Sequence, residues 1–96
     1  MKEKSSYVYI MANPTNTVTY IGVTSDLQRR IWEHQTKQAK GFISKYNITK
    51  LVHYECFGDI RYAIEREKEL KGWRREKKVA LVASMNHDWH DLTALI

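Results

Sequence analysis

Three glutamates stand within five residues, Glu65, Glu67 and Glu69, and helical arithmetic separates them. The segment from Ile60 reads as a helix, in which each residue advances ~100° around the axis. With Ile60 at zero, Ala63, Ile64 and Leu70 fall at ~300°, ~40° and ~280° and form an apolar stripe. Glu67 falls inside that stripe at ~340°, whereas Glu65 and Glu69 fall on the opposite side at ~140° and ~180°. A second helix, counted from Leu27, puts Ile31 at ~40°, Arg30 at ~300° and His34 at ~340° on one face. Arg29 and Glu33 point elsewhere, at ~200° and ~240°. An unpaired carboxylate or guanidinium facing a core costs several kcal/mol. One reading is structural: an Arg30–Glu67 salt bridge, or rims wet enough to hydrate both groups. The other is a polar cleft shared by both helices and overlooked by strand tyrosines, a candidate active site.

The elements that must position these groups follow from pattern. Residues 6–11 alternate, with Tyr7, Tyr9 and Met11 on one side and Val8 and Ile10 on the other; residues 17–23 read the same way. Asn13-Pro14-Thr15-Asn16 between them is a turn mixture, so the two strands form a β-hairpin. Ser25 reads as an N-cap with Asp26 beside it, opening a helix from about Asp26 to Lys40 that ends near Gly41. Residues 50–57 form a third strand, and Asp59 caps a long helix from about Ile60 to Arg74. Residues 76–85 form a further helix with Val79, Val82 and Met85 on one face, and the tail from Trp89 docks on the domain. The order β-β-α-β-α-α predicts an α+β (α/β) fold: a small three-stranded antiparallel sheet flanked by helices.

Composition sets the bounds. The chain has 96 residues, which implies one domain, 1–96, and a single modest core. Large multi-domain enzymes and doubly wound sheets of six strands are excluded on length. With 43% hydrophobic and 28% charged residues the chain is globular rather than disordered. No apolar run approaches the roughly 20 residues that span a bilayer, and no apolar signal segment follows the charged N-terminus. One cysteine, Cys56, precludes an internal disulfide and fits a reducing, cytoplasmic setting. A net charge of +5 favours an anionic partner.

Tyr7-Val8-Tyr9, then Tyr20-Ile21-Gly22 eleven positions after Tyr9, then Arg30, His34 and Glu67, resemble the GIY-YIG nuclease family. The resemblance covers almost the whole chain and extends to the family's small stand-alone subgroup through the basic run from Arg74 to Lys78 and through Asn86-His87-Asp88-Trp89. One residue departs from the pattern: Tyr7 stands where the first triplet has glycine, a change bearing on packing at the strand start. The resemblance implies cleavage of phosphodiester bonds in DNA, with RNA as the alternative, by one divalent ion, Mg²⁺ or Mn²⁺, and DNA repair as the setting. It implies Glu67 as metal ligand, Arg30 on the scissile phosphate, Tyr9 and Tyr20 facing the site with one of them activating water, and His34 assisting.

The chemistry suits these groups. Mg²⁺ can be held by one carboxylate plus the substrate phosphate, so a lone Glu67 suffices, with weak binding until substrate arrives. Arg30 offers phosphate two parallel donors. Tyrosine is a poor base unless cations lower its pKa, which Arg30 and the metal could do; Tyr9 is preferred as base and Tyr20 as its partner. Residues 66–78 hold seven Lys/Arg against three Glu, and Arg74, Arg75, Lys77 and Lys78 beside Trp73 are candidates to track a phosphate backbone. Ser25 and Thr24 could also touch phosphate. His87, His90 and Asp91 lack the spacing of a structural zinc site. His53 reads as a strand surface residue, Cys56 as a buried structural thiol. Two alternatives to the nuclease stand: a non-catalytic nucleic-acid-binding module, and an interaction domain with an Arg30–Glu67 pair. Specificity must come from a protein partner, DNA shape or nothing at all.

Overall fold

The computed structural model describes residues 5–36, 38 and 41–96. Three strands, β1 (Ser6–Ala12), β2 (Thr19–Thr24) and β3 (Lys50–Phe57), form one antiparallel sheet in the order β2-β1-β3. Helices α1 (Leu27–Gln35) and α2 (Phe42–Lys45) lie between β2 and β3, and α3 (Ile60–Lys71), α4 (Arg75–Met85) and a 3₁₀ turn (Leu92–Leu95) follow. This is the expected α+β arrangement.

The central strand has no wet side, which explains why β1 reads as nearly continuous apolar sequence. Val8, Ile10 and Ala12 join Ile21, Val52, Ala63, Leu70 and Val82 in one core, under α3 and α4. Tyr9 and Met11 join Leu27, Ile31, Ile43, Ile48 and Leu51 in a second core, under α1 and α2. The predicted alternation along β1 therefore holds, with each set serving a different layer. In the hairpin turn, Asn13 Oδ1 accepts the Thr17 and Val18 amides at 2.9 Å each, and Asn16 takes a φ of 59°.

Several boundaries differ from expectation. Asp26, not Ser25, caps α1: its carboxylate accepts the Arg29 amide at 3.1 Å, while Asp26's own amide is held by Thr24 Oγ1. Helix α1 ends at Gln35 rather than Lys40, and the expectation over 37, 39 and 40 falls outside the described residues. Gly41, at a φ of 78°, precedes the separate turn of α2. Helix α3 starts after its Asp59 cap as predicted but stops at Lys71, because Gly72 closes it and Arg74 is extended. On α4 only Val82 is buried; Met85 is 80% exposed, so the predicted three-residue apolar face is not the packed one.

The tail docks as expected. The Asn86 side chain donates to the Val52 carbonyl at 3.1 Å, Asp91 Oδ1 accepts the Leu51 amide at 3.3 Å, and Gln35 Nε2, which donates to the Thr49 carbonyl at 3.1 Å, also reaches Thr93 Oγ1 at 2.9 Å. Trp89 packs against the first core, Leu92 and Ile96 against the second.

His53 is buried rather than at the surface, its Nε2 2.8 Å from Glu55 Oε2. Burial alone would raise the Glu55 pKa, but hydrogen bonds from Arg66 and His53 hold the carboxyl below its ordinary value. Cys56 is exposed instead of buried. No helix among the described residues is long and apolar enough to cross a membrane.

Candidate active site

Three rings meet where β1, β2 and α1 converge. The Tyr9 hydroxyl lies 3.3 Å from His34 Nε2, with the two rings edge-to-face at 5.7 Å. The Tyr20 ring stands 6.2 Å from Tyr9 and 5.6 Å from His34. Tyr9 is 1% exposed, His34 is buried, and Tyr20, on edge strand β2, is half-buried.

Gly22 is what lets Tyr9 lie there. It faces Tyr9 across the β1–β2 register, and a Cβ on it would sit 2.4 Å from the Tyr9 hydroxyl oxygen. Gly22→Ala must therefore push the phenol away from His34, and overpacking of this kind costs about 1–3 kcal/mol. A lower urea midpoint, together with displaced Tyr9 and His34 ring resonances in NMR spectra, is the expected result.

Burial raises the Tyr9 pKa well above that of ordinary tyrosine, with Tyr20 adding to it; Arg30 acts downward, and Glu33 and Glu67 act upward. Arg30's pull, expected to act together with a metal's, is present but smaller than the cost of desolvating a phenolate. Burial, with Arg30 second, lowers the His34 pKa to about 4. The ring is thus neutral near pH 7, and Nε2 can accept the Tyr9 O–H. His34 Nδ1 is buried and makes no well-formed hydrogen bond among the described residues, although the Ile48 backbone lies close enough to act on the ring and raise its pKa slightly.

The sign of the resulting pH dependence is fixed. In the unfolded chain His34 titrates near 6.5, so between pH 6.5 and 4 the unfolded state binds more protons than the folded state. His34's contribution is fully present above about pH 6.5 and is lost as pH falls toward 4, amounting to about 3 kcal/mol. Urea unfolding across that window should show the slope, and His34→Gln should flatten it.

Arg30 and Glu67 arrive from helices on opposite faces of the sheet. Arg30 keeps 44% of its side chain exposed and touches Glu33 loosely at 3.7 Å. Glu67 keeps 22% exposed, and its carboxylate lies 3.5 Å from Lys71 Nζ. The two do not form the salt bridge that the structural reading required; their ionic partners are Glu33 and Lys71. The α3 phase explains Glu67's setting. Ala63 and Leu70 are buried whereas Ile60 and Ile64 are exposed, so the packed centre lies near ~290° and Glu67 stands on its shoulder. Glu33, expected to point away, carries charge into the site, where it meets both Arg29 and Arg30. Its position three residues after Arg30 was the available signal.

A polar hollow of about 390 Å³ opens beside these groups, lined by Thr24, Ser25, Asp26, Arg29, Arg30 and Glu33. Tyr9, Tyr20 and Glu67 do not line it. No three His, Cys, Asp or Glu side chains gather into a metal cage among the described residues.

The basic stretch is only partly available. The Arg75 guanidinium donates to the Asn16 carbonyl at 2.8 Å, anchoring α4 to the hairpin turn. Lys77 Nζ lies 4.2 Å over the Trp73 ring, Arg74 is exposed and Lys78 is half-buried. Arg66 also faces Trp73, at 5.2 Å, and forks onto Glu55 at 2.8 and 3.1 Å.

A three-stranded antiparallel sheet flanked by helices, with two strand tyrosines meeting a histidine of the next helix, defines a class. Residues 5–80 match the GIY-YIG catalytic domain, and the chain belongs to that nuclease family. Within it the relatives are UPF0213 proteins. The chain is 37% identical to one from Haloquadratum walsbyi over 78% of its length and 83% of the relative's. It is 35% identical to one from Natronomonas pharaonis, covering 80% and 89%. The solution NMR structure of a UPF0213 protein from Bacillus halodurans superposes with a TM-score of 0.59 at 28% identity, over 95% of this chain and 96% of that one.

Proposed function

We propose that this chain is a metal-dependent endonuclease that hydrolyses phosphodiester bonds in DNA, with RNA as a second substrate class. The observation that carries the reading is the ring cluster of Tyr9, Tyr20 and His34, with centroids 5.6 to 6.2 Å apart and the Tyr9 hydroxyl 3.3 Å from His34 Nε2, set one helical turn from Arg30.

The donor set fits one weakly held ion. Glu67 offers a carboxylate from the shoulder of α3, loosely contacted by Lys71, and Mg²⁺ or Mn²⁺ needs little more protein than that when waters and substrate phosphate complete its shell. When bound, the ion neutralises charge building on the phosphoryl oxygens. Arg30, half exposed, presents its two parallel donors to the same oxygens. Tyr20 is the phenol with access to solvent, and it orients the attacking water by a hydrogen bond. Tyr9 stays neutral, donates to His34, and holds that ring and Tyr20 in place. Arg74, Lys77 and Lys78 are available to flanking phosphates, while Arg75 holds the hairpin turn. A cytoplasmic setting suits the exposed, unpaired Cys56.

One mismatch favours the second reading, a non-catalytic nucleic-acid-binding module retaining the fold: Glu67 does not line the hollow that Arg30 lines. Incubating the purified chain with supercoiled, branched and single-stranded substrates, with Mg²⁺ or Mn²⁺ and then with EDTA, decides between them. Cutting that EDTA stops is expected. Binding without turnover on every substrate selects the binding module.

A further inference from the structure

The residue that departs from the family's first triplet lines a hollow of its own. Tyr7 and Tyr54, on neighbouring strands, wall a cavity of about 340 Å³ with Leu27 and Leu95, and Ser25 and Gln28 stand at its rim. Among the described residues neither phenol has a hydrogen-bond partner, although both are half-buried. The cavity shares Ser25 and Asp26 with the polar hollow that holds Arg30, so the two adjoin at the start of α1.

We infer that this hollow is a subsite for an unpaired nucleobase belonging to a nucleotide next to the scissile phosphate. The inference rests on the nuclease reading for its geometry: a phosphate on Arg30 leaves the neighbouring nucleotide at the Ser25–Asp26 corner. The cavity's volume falls in the usual range for ligand pockets, about 300–1,000 Å³, and its make-up is typical of them: apolar and aromatic walls with a few polar groups. Aromatic side chains take bases by their faces, which stay covered while a base remains stacked in a duplex; the ligand must therefore be single-stranded or turned out of the helix. The Ser25 hydroxyl and Gln28 amide supply donors and acceptors for the base edge. A glycine in place of Tyr7 would remove one wall, so the departure from the triplet creates the subsite.

Fluorescence anisotropy in EDTA tests this without turnover. The probes are a labelled oligothymidylate and an abasic sugar-phosphate strand of equal length and charge. The wild-type chain should bind the oligothymidylate roughly tenfold more tightly, the scale of one stacked base. Leu95→Glu, at an exposed position that leaves the fold intact, and Tyr7→Leu should each erase that difference while binding of the abasic strand stays within about twofold. Equal binding of both strands by the wild-type chain overturns the subsite, as does discrimination that survives Leu95→Glu. Discrimination by a chain that cuts nothing would leave the subsite standing and remove the nuclease; cutting without discrimination would do the reverse.

Discussion

Glu67→Ala should abolish metal-dependent nicking of supercoiled DNA and leave the fold untouched. A catalytic ion is worth several kcal/mol of transition-state charge stabilisation, so a loss of at least about 10³-fold in rate is expected. The stability side is equally definite. Glu67's ionic contact is the 3.5 Å approach of Lys71 one turn away, a helix-surface pair worth about 0.2–0.5 kcal/mol. Alanine recovers a similar amount through helix propensity. The melting temperature should therefore hardly move, and anisotropy should still detect DNA binding. Nicking within tenfold of wild type removes Glu67 from its role. A large drop in melting temperature would instead revive the structural reading, in which this carboxylate neutralises a buried cation.

Arg30→Lys separates charge from geometry at the second group. Lysine keeps the positive charge but loses the paired donors that match two phosphate oxygens. Removing one preorganised donor of this kind costs about 2.7–4 kcal/mol, so kcat should fall by about 10²- to 10³-fold. Arg30 makes only a loose 3.7 Å contact with Glu33 at a largely open position, and surface substitutions there stay within about 0.5 kcal/mol of stability. KM should change less than kcat if the contact tightens at the transition state. Unchanged kcat with a raised KM would mean that Arg30 only gathers substrate.

The elements that hold this site were largely readable in the sequence. Alternation in β1 assigned Tyr7, Tyr9 and Met11 to one face, and the 50–57 strand was bounded by Gly58-Asp59. Helical phase selected Glu67 from three neighbouring glutamates, and it grouped Arg30 and His34 with Leu27 and Ile31. What phase could not supply was depth. Ile60 and Ile64 read as core because they are apolar, yet Ala63 and Leu70 are the residues in contact with the sheet. The Ser25–Asp26 choice turned on local geometry, because Thr24 already occupies the Asp26 amide and orients its carboxylate to Arg29. His53 looked superficial because histidine usually is; it is buried with its Nε2 hydrogen-bonded to Glu55, which Arg66 contacts in turn. Tyr9's resistance to ionisation was invisible for the same reason. It depends on how thoroughly the second core encloses the ring, a property of the assembled layers.

The tail's hydrogen bonds have a consequence for solubility. Strand β3 is an edge, and an edge offers unpaired amides and carbonyls to any passing strand. Asp91 occupies the Leu51 amide, Asn86 the Val52 carbonyl and Gln35 the Thr49 carbonyl. Side chains thereby occupy the ladder positions that another copy of the chain would otherwise fill. A chain lacking residues 86–96 would lose two of these three plugs, and its first failure would be strand-to-strand polymerisation rather than loss of the polar hollow beside Arg30.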